Sequence, residues 1–239
     1  MYSIYIVNRN QFSKVFNLLE INSYDKVLLK PNICGLYPPD INMLKTLLQY
    51  LVDYANQILI GDTDSTLHRV ETRFYKLKLY DLAKDFGGKV LLKNLLSYGK
   101  IDVSIPNPRA VKKIPIPMIL FNIDYLINIA KIGSHPSTKI TAALKNLFGI
   151  VAVKGKYFRY HPRGMDKVIS DIAKIVKPNL NIVEVNDKIL ISKDILAIDI
   201  VASKMFGIDP FKVKHLVYVA KDRGISLKEI INKIKIIKI

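Results

Sequence analysis

The chain has 239 residues, half of them hydrophobic, with 37 Lys and Arg against 20 Asp and Glu, a net charge of +17. Its length suits one large domain or two small ones. No stretch reaches the uninterrupted apolar length of a membrane span, and a single cysteine, Cys34, excludes an internal disulfide or a four-cysteine zinc or iron–sulfur site within the chain.

In chain order, YSIYIV (2–7) predicts a strand and 11–19 a helix. DKVLLK (25–30) is a second strand ended by Pro31, and Asp40 is an N-cap for a helix through about Asn56, with Ile41, Leu44, Leu48 and Leu51 at helical spacing. QILIG (57–61) is the third strand, DTDST its loop, and 70–86 a helix stopped by Gly87 and Gly88. KVLLK and IDVSI are short strands. Four prolines between Pro106 and Pro117 predict extended or turn structure. DYLINIA (124–130) is a buried strand. Ser137 or Thr138 then caps a predicted helix with Ile140, Leu144, Leu147 and Phe148 on its apolar face. A helix over 165–176, a strand pair LNIVEV and KILIS, and two Gly-stopped helices follow. After the capping box of Ser226 and Glu229, the Lys/Ile alternation INKIKIIKI suits an edge strand guarded by lysines. The alternation of strand and helix segments predicts an α/β fold: a mostly parallel sheet with helices on both faces, in a single Rossmann-like domain over 1–239.

Ligands of open α/β sheets sit outside the carboxyl ends of the strands. Three predicted strands end in polar sequence: Lys30 and Asn32 after the second, Asp62 and Asp64 after the third, and Lys131, Ser134, His135 and Lys139 after DYLINIA. If these strands run parallel, the three loops share one rim. Lys145 and Asn146 on the following helix, and His161 and Arg163 in RYHPRG, join the candidates. The lysines and arginine supply positive charge, Asn32, Ser134 and Asn146 hydrogen bonds, and the aspartates contacts to hydroxyls or a divalent cation. His135 and His161 are the proton carriers if the protein is an enzyme. Cys34 reads as a small buried residue rather than a nucleophile. No G-x-S-x-G, P-loop lysine or G-x-G-x-x-G element is present, and no metal-ligand spacing.

The positive charge points to an acidic partner. The leading expectation is a small anionic ligand bearing phosphate or carboxylate. The alternative is a basic nucleic-acid-binding or accessory subunit, although Tyr and Phe are not interleaved with the basic residues as a stacking platform requires. A homo-oligomer or larger complex is a third possibility, and no membrane partner is expected. The N-terminus lacks the pattern of a signal peptide, so a cytoplasmic location is expected. The richness in Ile and Lys without Trp suits a hot-growing, AT-rich source.

The blocks VLLKPNICG, ILIGDTDS, DYLINIAKIGSH, TKITAALKNLFGI, RYHPRG and DILAIDIVASKMFGIDP occur in this order. Together they resemble the family known as domain of unknown function 362, over about 25–224, with ALKNLFG as the most specific block. The resemblance implies an α/β core, an unestablished reaction, and characteristic positions at Lys30, Pro31, Asn32, His135, Thr141, Lys145, Asn146, Gly149, His161, Asp199 and Gly207. Many members carry or accompany a ferredoxin segment. This chain is identified as a minimal member without that module, since one cysteine cannot hold an iron–sulfur cluster; its cofactor is unknown. It departs further in AKIGSH, where the family spaces Lys and His as Lys-x-His, and in NDK, where relatives carry a long glycine-rich loop.

Overall fold

The computed structural model describes residues 1–19 and 21–239. In chain order its principal elements are β1 (Tyr2–Asn8), β2 (Tyr24–Pro31), α1 (Ile41–Leu51), β3 (Ala55–Asp62), α2 (Val70–Lys76), α3 (Leu79–Lys84), β4 (Val90–Asn94), β5 (Lys100–Ser104) and β6 (Lys113–Pro117). The second half holds β7 (Tyr125–Lys131), β8 (Gly133–His135), β9 (Lys139–Thr141), α4 (Ala143–Asn146), α5 (Lys156–Tyr160) and α6 (Met165–Ile175). It ends with β10 (Leu180–Val185), β11 (Lys188–Ser192), α7 (Ile195–Met205), α8 (Lys214–Asp222), α9 (Leu227–Asn232) and β12 (Ile234–Lys238).

An eight-stranded sheet runs in the order β12-β1-β11-β10-β7-β2-β3-β4. The strands from β10 to β4 are mutually parallel, and β11 is antiparallel to both neighbours. The period-2 alternation of strand side chains divides the core in two. Val27, Leu29, Ile58, Ile60, Ile127 and Ile129 face α1, α2 and α3, whereas Leu28, Leu59, Leu126 and Val183 face α4, α6 and α7. Strands buried on both faces need continuous apolar runs, which is why VLLK, ILIG and YLINIA read as they do. Each fully buried Leu or Ile contributes roughly 1.5–3 kcal/mol. Among the described residues no helix is long and apolar enough to cross a membrane.

One polar line crosses this sheet. Lys30 is in register with Asn128, Asn128 with Asn181, and Asn181 with Ser192. All four side chains are buried. Unsatisfied, such groups cost about 1–3 kcal/mol each. Here Asn128 Nδ2 donates to Asn181 Oδ1 and to the Ala143 carbonyl, both at 3.0 Å. Asn146, brought in by α4, donates to Asn128 Oδ1 at 2.8 Å and to the carbonyls of Lys30 and Ile129 at 3.0 and 2.9 Å. The line therefore fastens α4 to the sheet beside the carboxyl ends of β2 and β7.

Three expectations are corrected. The helix predicted to start at Ser137 or Thr138 is instead the β8–β9 hairpin followed by the short α4. Lys139, which would lie inside that helix, sits at φ 64°, a left-handed conformation that a right-handed helix cannot contain. The helix predicted over 70–86 breaks into α2 and α3 at Lys78, whose φ is 54°. The 11–19 segment is a 3-10 helix over Arg9–Leu18. Elsewhere the reading agrees: Asp40 accepts the N–H groups of Asn42 and Met43 at 2.7 and 3.1 Å, the capping box of Ser226 and Glu229 is formed, and the Lys/Ile strand lies at the sheet edge.

Candidate functional site

The carboxyl ends of β2, β3 and β7 meet α4 and α5 around a cavity of about 340 Å³. Its walls include Asn32, Asp62, Thr63, His135, Lys145, Asn146, Lys156 and His161, with Leu36, Leu67, Phe148 and Tyr157 on the apolar side. Parallel pairing places the strand ends on one rim.

Beneath the floor lies a buried ion pair. Lys30 Nζ is 3.0 Å from Asp62 Oδ1 and donates to Asn146 Oδ1 at 2.5 Å and the Pro31 carbonyl at 3.4 Å. Asp62 Oδ2 accepts the N–H groups of Ile33 and Cys34 at 3.0 and 3.1 Å, while Oδ1 accepts that of Thr63 at 2.9 Å. One carboxylate thus anchors the loops after β2 and β3 together. Gly149 lies directly above: a Cβ there would be 2.2 Å from Lys30 Nζ and 2.6 Å from Asp62 Oδ1. Only a residue without a side chain allows this approach.

Two further lysines reach the cavity without a carboxylate partner among the described residues. Lys156 donates to Thr63 Oγ1, which itself donates to the Gly149 carbonyl at 2.6 Å, and its ammonium lies 5.3 Å from the Phe148 ring centre. Among the described residues Lys145 has neither a hydrogen bond nor an ion pair. Burial pushes the Lys156 ammonium down to about 8, and burial with the nearby charge of Lys30 does the same to Lys145. His135 is pushed down to about 4, first by burial and then by Lys145, so its ring is neutral at physiological pH. Its Nδ1 accepts the Ser137 N–H at 3.3 Å, which leaves the ring proton on Nε2. His161 is lowered too, chiefly by burial, and packs against Tyr157 with ring centres 3.7 Å apart.

The α4 turn that presents Lys145 and Asn146 is held by a carboxylate from another helix. Asp199 on α7 accepts the N–H groups of Ala143 and Leu144 on its two oxygens, each at 2.8 Å. Burial pushes this carboxyl up to about 7. Because both oxygens accept, an amide in the same place would turn its NH₂ toward a backbone donor. Asp199→Asn is therefore expected to destabilise the protein by about 2 kcal/mol, read from the urea midpoint; an unchanged midpoint would contradict this role.

Of the residues proposed from sequence, Asn32, Asp62, His135, Lys145, Asn146 and His161 line the cavity, and Lys30 lies beneath it. Asp64 does not: it accepts the Val70 N–H at 2.9 Å and caps α2. Lys131 stands in register with Glu184 on β10 and acts on that buried carboxylate. Ser134 and Lys139 are exposed on the β8–β9 hairpin, and Arg163 is exposed with its guanidinium on the Arg159 carbonyl. Lys156 escaped sequence reasoning because VKGKYFRY looks like a solvated basic run; its one signal is Gly155, whose φ of 66° turns the chain inward before α5. Cys34 is a cavity-wall residue with its thiol pushed up to about 12 by burial, which suits a packing role. Among the described residues no three His, Cys, Asp or Glu side chains come together as a metal site. One cysteine does not fit an iron–sulfur cluster. The shortened NDK connection is a tight β10–β11 turn with Asn186 at φ 54°, and it does not border the cavity.

No curated protein matches the chain. Among solved structures, the lactate racemase apoprotein from Thermoanaerobacterium thermosaccharolyticum is similar at a TM-score of 0.45 and 13% identity. The likeness covers 83% of this chain and 56% of that one, so the chain spans little more than half the length of that protein. The family model described as Domain of unknown function (DUF362) matches residues 27–187, more than half of the sequence, and the chain belongs to that family.

Proposed function

We propose that the protein binds a small anionic ligand, bearing phosphate or carboxylate, in the cavity at the carboxyl ends of β2, β3 and β7. The observation that carries this reading is unmatched charge. Among the described residues lining the cavity Asp62 is the only acid, and it is taken by Lys30 and three backbone N–H groups. Lys145 and Lys156 make no ion pair among the described residues, and only Lys156 feels Asp62 and Asp64 at a distance. A desolvated cation without a partner is costly, and an anion seated between the two would recover that cost. Asn32 and Thr141 provide hydrogen-bonding groups, while Phe148 and Tyr157 offer an apolar wall for the remainder of the ligand.

Inorganic phosphate is expected to raise the melting temperature in a saturable way, since a ligand that binds only the folded state stabilises it by about 2.7 kcal/mol at a hundred times its dissociation constant. Lys145→Ala, on a residue whose ammonium has no partner, is expected to remove this rise without lowering the melting temperature of the free protein. Affinity should fall as pH climbs through about 8, where both lysines lose their protons. His135 titrates near 4 and contributes no step near neutrality. An equal phosphate response in wild type and Lys145→Ala would sink the reading.

A further inference from the structure

The three lysines gathered at this cavity are in three different chemical states. Lys30 is fully used, with Asp62, Asn146 and the Pro31 carbonyl as acceptors. Lys156 is buried and tethered to Thr63, with Phe148 beside its ammonium. Lys145 sits on a turn whose Ala143 and Leu144 N–H groups are held by Asp199 and whose Asn146 is locked into the sheet, yet among the described residues its amine makes no hydrogen bond or ion pair. An amine left without an internal partner is open to an anion when protonated and to an electrophile when not. A site that needs a nucleophile must leave it free.

We propose that Lys145 captures a carbonyl-bearing acid, an aldehyde or keto acid, as an imine on its Nζ, while Lys156 holds the acid group. This rests on the anion-site reading and specifies its ligand class. The Nζ lone pair adds to the carbonyl carbon and one Nζ proton passes to the carbonyl oxygen, giving a neutral carbinolamine. Loss of the remaining Nζ proton and departure of the hydroxyl as water then form the C=N bond. One water is released, and no oxidant or reductant is required.

The surroundings meet the needs of each step. An amine attacks only when unprotonated, and burial with the like charge of Lys30 favours that form. Relative to an ordinary surface lysine, the neutral fraction near pH 7 rises by about a few hundredfold. Burial and Lys30 from β2 act on Lys145, and Lys145 in turn lowers His135 from β8, His161 after α5 and His215 from α8. None is an acid that would hold the ammonium in its charged form. His161 lines the same cavity and is the group placed to pass protons to and from the oxygen, His135 being held neutral by burial and Lys145.

The test is reductive trapping of the whole chain with glyoxylate and cyanoborohydride, followed by peptide mapping. Lys145 is expected to be modified at least tenfold faster than the exposed Lys139 and Lys228, with inorganic phosphate slowing that site alone. Lys145→Arg should lose the fast adduct, while Lys156→Met should retain a slower one that phosphate no longer suppresses. Modification of Lys145 no faster than of Lys139 overturns the inference. If phosphate still raises the melting temperature in that case, the anion site stands and only the amine chemistry is retired; if it does not, both fall.

Discussion

Lys30→Met is expected to destabilise the protein by about 3–5 kcal/mol, the usual cost of removing one partner from a buried ion pair. Asp62 would stay buried with its Oδ1 facing an apolar side chain, and Asn146 Oδ1 would lose its donor. The loss should appear as a lower urea midpoint with an unchanged slope. Because Asp62 also gathers the N–H groups of Ile33, Cys34 and Thr63, the loops after β2 and β3 should loosen together, which amide exchange would report. A change below about 1 kcal/mol would mean that the pair does not hold the site together. Lys30 is thus a foundation of the cavity, and its removal is a poor probe of ligand binding. Lys145→Ala is the clean one.

Gly149→Ala should be nearly as damaging, for a different reason. No left-handed backbone conformation is involved at this glycine, so the penalty is one of space. The added Cβ would press on Lys30 Nζ and Asp62 Oδ1, which are held in place by Asn146 and the Thr63 N–H as well as by each other. Overpacking a filled core costs about 1–3 kcal/mol, and separating the pair adds to that figure. The variant should also lose its response to phosphate, because the Gly149 carbonyl fixes Thr63 and through it Lys156. A variant of wild-type stability and phosphate response would show that the floor is more yielding than its packing implies.

Much of the framework was legible because it follows from local chemistry. The runs that form β2, β3 and β7 are apolar on both faces, Asp40 and Ser226 cap helices in the expected way, and a lysine-guarded strand lies at the sheet edge. The segment after β7 misled because Ile140, Leu144, Leu147 and Phe148 fit a helical period by coincidence. Ile140 belongs to β9, whose hairpin with β8 is stabilised by tertiary packing that periodicity does not encode. That hairpin also explains why Ser134 and Lys139 stand outside while His135 reaches the cavity. Asp64 followed the commoner habit of its residue type and became a helix cap. Lys156 was hidden because burial of a lysine is decided by what packs over it, here Thr63 from a distant part of the chain and Phe148.

The central claim is that Lys145 and Lys156 form a receptor for an anion. The most direct measurement is a calorimetric titration of inorganic phosphate into the wild-type protein and into the Lys145→Ala/Lys156→Met double variant at pH 6.5. Saturable heat with a single site in the wild type, and none in the folded double variant, is the expected result. Equal heats in the two proteins, or no heat in either, would contradict it.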